Sequence, residues 1–157
     1  MTLNQGDPAP DFTLFTDGRQ PWSLADQRGK PVLLLFFPGA FSSTCTTELN
    51  AVNNDLHRYT DASAVVVGIS TDSHFVLAEY RKVNALGFPL LSDHDGEVSE
   101  RYGAKYDRDF SAMKLSRISK RSAFLIDEQG TIRYAEVLQN ADDQPNFDAL
   151  HAAMEAA

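Results

Sequence analysis

The chain has 157 residues, 43% of them hydrophobic, a formal net charge of −8 and one cysteine. That length suits one domain with a substantial core, predicted to span residues 1–157. The acidic balance argues against gripping nucleic-acid phosphates by bulk electrostatics, one cysteine cannot close a disulfide within the chain, and no run approaches the roughly 18 apolar residues of a membrane span.

The opening residues, Met1-Thr2-Leu3-Asn4-Gln5-Gly6-Asp7-Pro8, lack the basic cluster and apolar stretch of a signal peptide, so a cytoplasmic location is expected. Turn formers crowd residues 1–31 around short apolar pieces such as Phe12-Thr13-Leu14, predicting a short strand or hairpin. Val32 to Phe37 is a continuous apolar run of strand length. From Cys45 onward, Cys45, Leu49, Val52, Leu56 and Tyr59 recur at helical spacing, with the sulfur on the core-facing side. Ala64 to Ile69 predicts a second buried strand. A helix from about Ser73 follows, with Val76, Tyr80 and Val83 on one face and Gly87 as its stop. Pro89-Leu90-Leu91 is a short extended piece, and a short helix ends near Tyr102-Gly103. Ser122 to Ile126 predicts a strand that turns through Asp127-Glu128-Gln129-Gly130 into Thr131 to Leu138. Phe147, Leu150 and Met154 mark a last helix. This order predicts an α/β fold, a mixed central sheet with helices on both faces.

The chemistry centres on Cys45, in Pro38-Gly39-Ala40-Phe41-Ser42-Ser43-Thr44-Cys45-Thr46-Thr47-Glu48. A strand feeding a turn feeding a helix puts the sulfur in the helix's first turn. There, unpaired backbone N–H groups and the positive dipole end favour a thiolate. A lone cysteine is more often an inert core residue. Here the hydroxyls of Ser42 and Thr44, the carboxyl of Glu48 on the same helical face and the fixed strand exit at Pro38 argue for a reactive one. Residues 104–122 carry a local net charge of +4. Within them Arg121 stands apart, because it directly precedes an apolar strand and enters the sheet. At the mouth of a sheet it can meet the helix N-terminus of a neighbouring βα turn.

Other constellations are weaker. His57, His74, His94 and His151 show no ligand spacing. Asp93-His94-Asp95-Gly96-Glu97 lacks the oxygen series of a calcium loop and reads as a polar turn. No metal or cofactor is expected.

Pro38, Ser42 and Cys45 fit the pattern Pro-x-x-x-(Thr/Ser)-x-x-Cys, and the chain resembles the peroxiredoxins of the AhpC/TSA family. Arg121 to Asp127, Gly68 to Ser73, Phe88 to Asp93 and Tyr102-Gly103 are similar to further family segments in the same order, and the likeness runs from about residue 5 to the C-terminus. It implies a thioredoxin-like fold and a thiol peroxidase that reduces hydrogen peroxide, organic hydroperoxides or peroxynitrite. By position Cys45 would be the nucleophile, Arg121 and Ser42 its activating partners and Pro38 a shield. The N–H groups of Thr44 and Cys45 would complete a cradle, and Glu48 would hold the guanidinium. Serine replaces the more frequent threonine at 42. The position where some relatives carry a resolving cysteine is Asn50. A one-cysteine type, similar to the AhpE group, is therefore implied, with an external thiol or redoxin as reductant and a homodimer as assembly. Phe41 would cover the pocket or meet the second subunit, and the cationic stretch could attract an acidic reductant. Two rivals stand beside this reading: a monothiol disulfide reductase, which would place proline where Arg121-Ser122 stands, and a non-catalytic thioredoxin-like module, in which Cys45 and Arg121 are dispensable.

Overall fold

The computed structural model describes residues 3–110 and 114–156. Seven strands form one sheet: β1 (Thr13–Thr16), β2 (Pro21–Ser23), β3 (Val32–Phe36), β4 (Val65–Ser70), β5 (Leu90–Ser92), β6 (Ser122–Ile126) and β7 (Ile132–Val137). Their spatial order is β2-β1-β5-β4-β3-β6-β7. The β3, β4 and β5 strands run parallel, while β1, β2, β6 and β7 join antiparallel. The helices are α1 (Ser43–Asn54), α2 (Leu56–Asp61), α3 (His74–Asn84), α4 (Glu97–Arg101) and α5 (Phe147–Glu155), with a 3₁₀ turn at Leu24–Gln27.

Strand side chains alternate between faces, so an unbroken apolar run requires cover on both sides. Leu33, Leu35 and Phe37 pack with Cys45 and Leu49 of α1, Tyr59 of α2, Leu77 and Tyr80 of α3 and Leu150 of α5. Val32, Leu34 and Phe36 face the other way, onto Phe12, Leu24, Tyr102 of the α4 C-cap and Phe124. The mixed sheet with helices on both faces is therefore what the strand runs predict.

Two helix details differ from expectation. The periodicity from Cys45 to Tyr59 is split: the chain breaks at Asp55, which caps both α1 and α2 with φ −114° and ψ 22°. In α3 the buried face is Leu77 and Tyr80, whereas Val76 is 39% and Val83 63% exposed. Tyr80 belongs to either stripe, and its ring packing against Phe37 and hydroxyl contact with Thr46 select the one that includes Leu77. This helix also stops before Gly87, at Ala85, which adopts the left-handed conformation with φ 51°.

Gly68 sits in β4 where space is tight. An added Cβ would stand 2.7 Å from Leu90 Cδ2 and 3.2 Å from Phe37 Cε1. Both neighbours are fully buried. Gly68→Ala is expected to destabilise by about 1–3 kcal/mol through overpacking, more than the entropy that alanine removes from the unfolded chain returns. A urea titration should show a lower midpoint at unchanged slope; an equal or higher midpoint would contradict the overpacking.

Candidate active site

The site lies at the C-terminal end of β3, where the strand register does much of the positioning. Phe36 pairs with Ser122 across the antiparallel β3–β6 ladder. Arg121, the residue just before β6, is thereby brought beside the β3 exit at Phe37 and Pro38. Pro38 is buried, and the loop after it is pinned by Asp72, whose Oδ2 accepts from the Ala40 N–H at 2.8 Å and from Ser70 Oγ at 2.7 Å. Phe41 takes a left-handed backbone with φ 68° and lies edge-on to Tyr80 at 4.9 Å between ring centroids. Its side chain is 55% exposed. Ser42 is the N-cap of α1, in extended conformation. Cys45 is the third helical residue, so the sulfur does sit in the first turn, where the early N–H groups lack intrahelical acceptors.

Cys45 is a free cysteine with no exposed surface, and Arg121 is 1% exposed. The Arg121 Nη1 donates to Cys45 Sγ at 3.3 Å and to Glu48 Oε1 at 2.7 Å. Its Nη2 donates to the Ala141 carbonyl at 2.8 Å. A guanidinium that is always protonated and locked by three acceptors presents fixed positive charge to the sulfur. Cys45, Arg121 and Glu48 are thus brought together as the sequence predicts. The Thr46 hydroxyl, one residue past the cysteine, meets Tyr80 Oη at 2.9 Å and ties the turn to α3.

Burial pushes the Glu48 carboxyl up to about 7, against the pull of Arg121, while Glu136 nearby adds to the rise. At Arg121 burial is the largest influence and pulls downward, but Glu48 and Cys45 together, through charge and hydrogen bonds, raise the guanidinium above its ordinary value. One carboxylate oxygen, Oε2, is buried with no hydrogen-bond partner among the described residues. Because the folded-state value lies above the unfolded one, near 4.5, Glu48 contributes stability that is full below pH 4.5 and is lost as pH rises through about 7. Glu48→Gln keeps an acceptor for Nη1 and removes the titration. The stability of the wild type relative to this variant is expected to fall by roughly 3 kcal/mol across that window, at about 1.4 kcal/mol per pH unit. Urea unfolding of both proteins at pH 4.5, 6 and 8 measures it; parallel profiles would show that Glu48 does not titrate there.

The remaining predicted residues are placed differently. The Ser42 hydroxyl is turned back to the Gly39 carbonyl, at 2.8 Å, and the residue is exposed. Thr44 is engaged through its carbonyl, which accepts from Gln144 Nε2 at 3.0 Å. Two contributors escape sequence reasoning, Ala141 and Gln144, both in the segment between β7 and α5. Ala141 acts through a backbone carbonyl, which no side-chain pattern betrays, and Gln144 sits in a polar turn-rich stretch without periodicity. Much of the cationic segment is already engaged. Lys105 Nζ donates to the carbonyls of Tyr106 and Ser116, Lys120 Nζ to Gln139 and Arg117 to the His94 carbonyl, while Arg117 also forms an ion pair with Asp95 at 3.9 Å. Asp93, at the start of the polar turn 93–97, is buried and accepts from the N–H groups of Val98 and Ser99 and from Ser99 Oγ.

A buried thiol held by a guanidinium at a helix N-terminus, on a mixed sheet of this topology, defines a thiol redox protein of thioredoxin-like fold. More specifically, the chain belongs to the AhpC/TSA family, whose model matches residues 5–135. It is 33% identical over 132 residues to Peroxiredoxin Bcp of Escherichia coli K12, covering 84% of each chain. A Mycobacterium tuberculosis protein carrying a peroxiredoxin name is 39% identical over 134 residues, 85% of either chain. The crystal structure of peroxidoxin BcpB from M. tuberculosis superposes with a TM-score of 0.85 at 28% identity, covering 98% of this chain and 97% of that one. A cysteine-to-serine mutant of Xylella fastidiosa PrxQ shares the fold, with a TM-score of 0.86 at 22% identity over 99% and 98% of the two chains. None of these relatives carries an AhpE name, and the AhpE-like placement has no support from them. The family is one of thiol-dependent peroxidases, and the chain is an oxidoreductase that reduces peroxides with electrons from thiols.

Proposed function

We propose that Cys45 is the peroxide-reducing nucleophile, that Arg121 activates it, and that Glu48 orients Arg121. The supporting observation is the fully buried clasp in which one guanidinium nitrogen serves both Sγ and the Glu48 carboxylate. The guanidinium presents a fixed positive charge and an N–H donor to the sulfur, which holds the nucleophile in one orientation. The larger contribution comes from donors placed where charge grows on the departing oxygen. The thiolate attacks the terminal hydroperoxide oxygen; the S–O bond forms as the O–O bond breaks, and the leaving alkoxide or hydroxide takes a proton. Sulfur is oxidised by two electrons and the peroxide is reduced by two. Arg121 and the N–H groups of Thr44 and Cys45 would hold the oxygens. Ser42, by turning its hydroxyl away from Gly39, would donate to the bound peroxide. Pro38 would keep bulk water from the sulfur.

The product is a Cys45 sulfenic acid. With no other cysteine in the sequence, it is recycled by an external thiol or redoxin. Hydrogen peroxide and organic hydroperoxides are the proposed substrates, with peroxynitrite as a further one, in antioxidant defence within the cytoplasm. A homodimer that uses the exposed Phe41 is the proposed assembly. Stopped-flow mixing of reduced protein with hydrogen peroxide should consume one equivalent of peroxide per thiol and leave a dimedone-trappable Cys45. A sulfur that stays reduced under these conditions would refute the reading. Recovery of the thiol with thioredoxin, glutaredoxin, glutathione and mycothiol systems in turn identifies the reductant.

A further inference from the structure

The loop that carries Pro38 and Ser42 is held by a side chain from another element. Strands β3 and β4 pair in parallel with Phe36 opposite Ile69, so both end at one edge of the sheet. Asp72 stands at that edge, two residues past the end of β4. Its Oδ2 accepts from the Ala40 N–H at 2.8 Å and from Ser70 Oγ at 2.7 Å. The Ser70 hydroxyl in turn accepts from the Asp72 N–H at 3.2 Å. From β5, Ser92 Oγ donates to the Asp72 carbonyl at 2.6 Å. The next residue, Ser73, caps α3 through the Val76 N–H. Two strand ends and a helix start therefore fix Asp72, and Ala40 receives that rigidity through a charge-assisted hydrogen bond.

The loop has something to be held against. Phe41, directly after Ala40, takes φ 68°, a region that aromatic residues rarely enter and that persists only where surrounding contacts impose it. Tyr80 holds it on one side, ring against ring, and the Ala40 N–H bond holds it on the other. Ser42 follows immediately as the N-cap of α1, so relaxation at Phe41 would displace Ser42 first.

We propose that Asp72 is a positioning residue for peroxide reduction: its carboxylate, bound to the Ala40 N–H, keeps the strained 38–42 loop in the geometry that presents Ser42 to the peroxide. The inference rests on the peroxidase reading above. Asp72 touches neither the sulfur nor the guanidinium. The clasp is built from α1, Arg121 and the Ala141 carbonyl, and none of its hydrogen bonds includes Asp72. Loss of the carboxylate therefore leaves the nucleophile in place and disturbs the groups arranged around the oxygens. Misplacement of such groups by about 1 Å is enough to cost up to about 10²-fold in rate.

The test compares Asp72→Ala and Asp72→Asn in the full chain, using two reagents for the same sulfur. Hydrogen peroxide needs the oxygen-holding groups of the loop, whereas iodoacetamide alkylates Cys45 without them. Asp72→Ala is expected to slow oxidation by hydrogen peroxide about tenfold to a hundredfold. Alkylation should hold or quicken, because a looser loop admits the reagent more readily. Asparagine keeps a carbonyl oxygen for the Ala40 N–H and is expected to recover most of the peroxide rate. Equal losses with both reagents would reduce Asp72 to a structural role and overturn the proposal. So would an unchanged peroxide rate in the alanine variant, or no recovery in the asparagine one. Should neither variant fold, hydrogen exchange on the wild type decides. The Ala40 amide is expected to exchange at least about tenfold more slowly than in an unstructured peptide, and exchange at the free rate would overturn the proposal. A wild type that iodoacetamide labels but hydrogen peroxide leaves reduced would refute the peroxidase reading instead, with the Ala40 protection intact.

Discussion

Replacing Cys45 by serine is expected to abolish peroxide reduction, with a loss of at least about 10⁴-fold, the scale seen when a covalent nucleophile is removed. A serine hydroxyl is nearly isosteric but carries negligible alkoxide at neutral pH, and no guanidinium closes that gap. The fold should survive, since Oγ can still accept from Arg121 Nη1 in the space the sulfur leaves. The measurement is peroxide consumption together with dimedone labelling followed by mass spectrometry. Methionines provide the internal control: the chain has three, and their slow oxidation should be unchanged. Residual turnover near the wild-type rate would move the chemistry away from position 45.

The second large effect concerns Arg121, and it separates stability from rate. Arg121→Met removes the donor to Sγ and leaves Glu48 buried beside no cation. The lost donor predicts a fall of about 10²–10³ in the oxidation rate. The stranded carboxyl predicts a stability cost of about 3–5 kcal/mol, moderated if Glu48 takes up a proton. Adding Glu48→Gln should recover most of the stability, because a buried charge pair can be replaced by neutral groups at little cost. It should recover none of the rate. A double variant that regained activity along with stability would show that Arg121 serves only to hold the fold. Urea titration and stopped-flow oxidation of the four proteins of this cycle decide the matter.

The inner strands were legible because strands covered on both faces must be apolar throughout, and Val32 to Phe36, Val65 to Ile69 and Ala123 to Ile126 are. The clasp was legible for a related reason: an arginine at a strand entrance has few neighbours besides the loop that leaves the adjacent strand. What could not be read depends on contacts remote in sequence. The stripe of α3 was ambiguous between Val76 and Leu77, since both lie within a turn of Tyr80, and tertiary packing chose. Ala141 contributes a carbonyl, a group every residue owns. Gln144 meets the Thr44 backbone across the fold, and Ser42 turns its hydroxyl onto Gly39, a rotamer choice that sequence does not record.

The pairing of Phe36 with Ser122 has a consequence for how this enzyme can vary. The cation's place is fixed by counting rungs inward from the strand, so residues may be gained or lost between α4 and β6 without moving it. A shift of a single rung within the strand would instead send the guanidinium to the opposite side of the sheet, severing it from the sulfur while leaving nearly every apolar contact a plausible substitute. Such a molecule could be folded and inert.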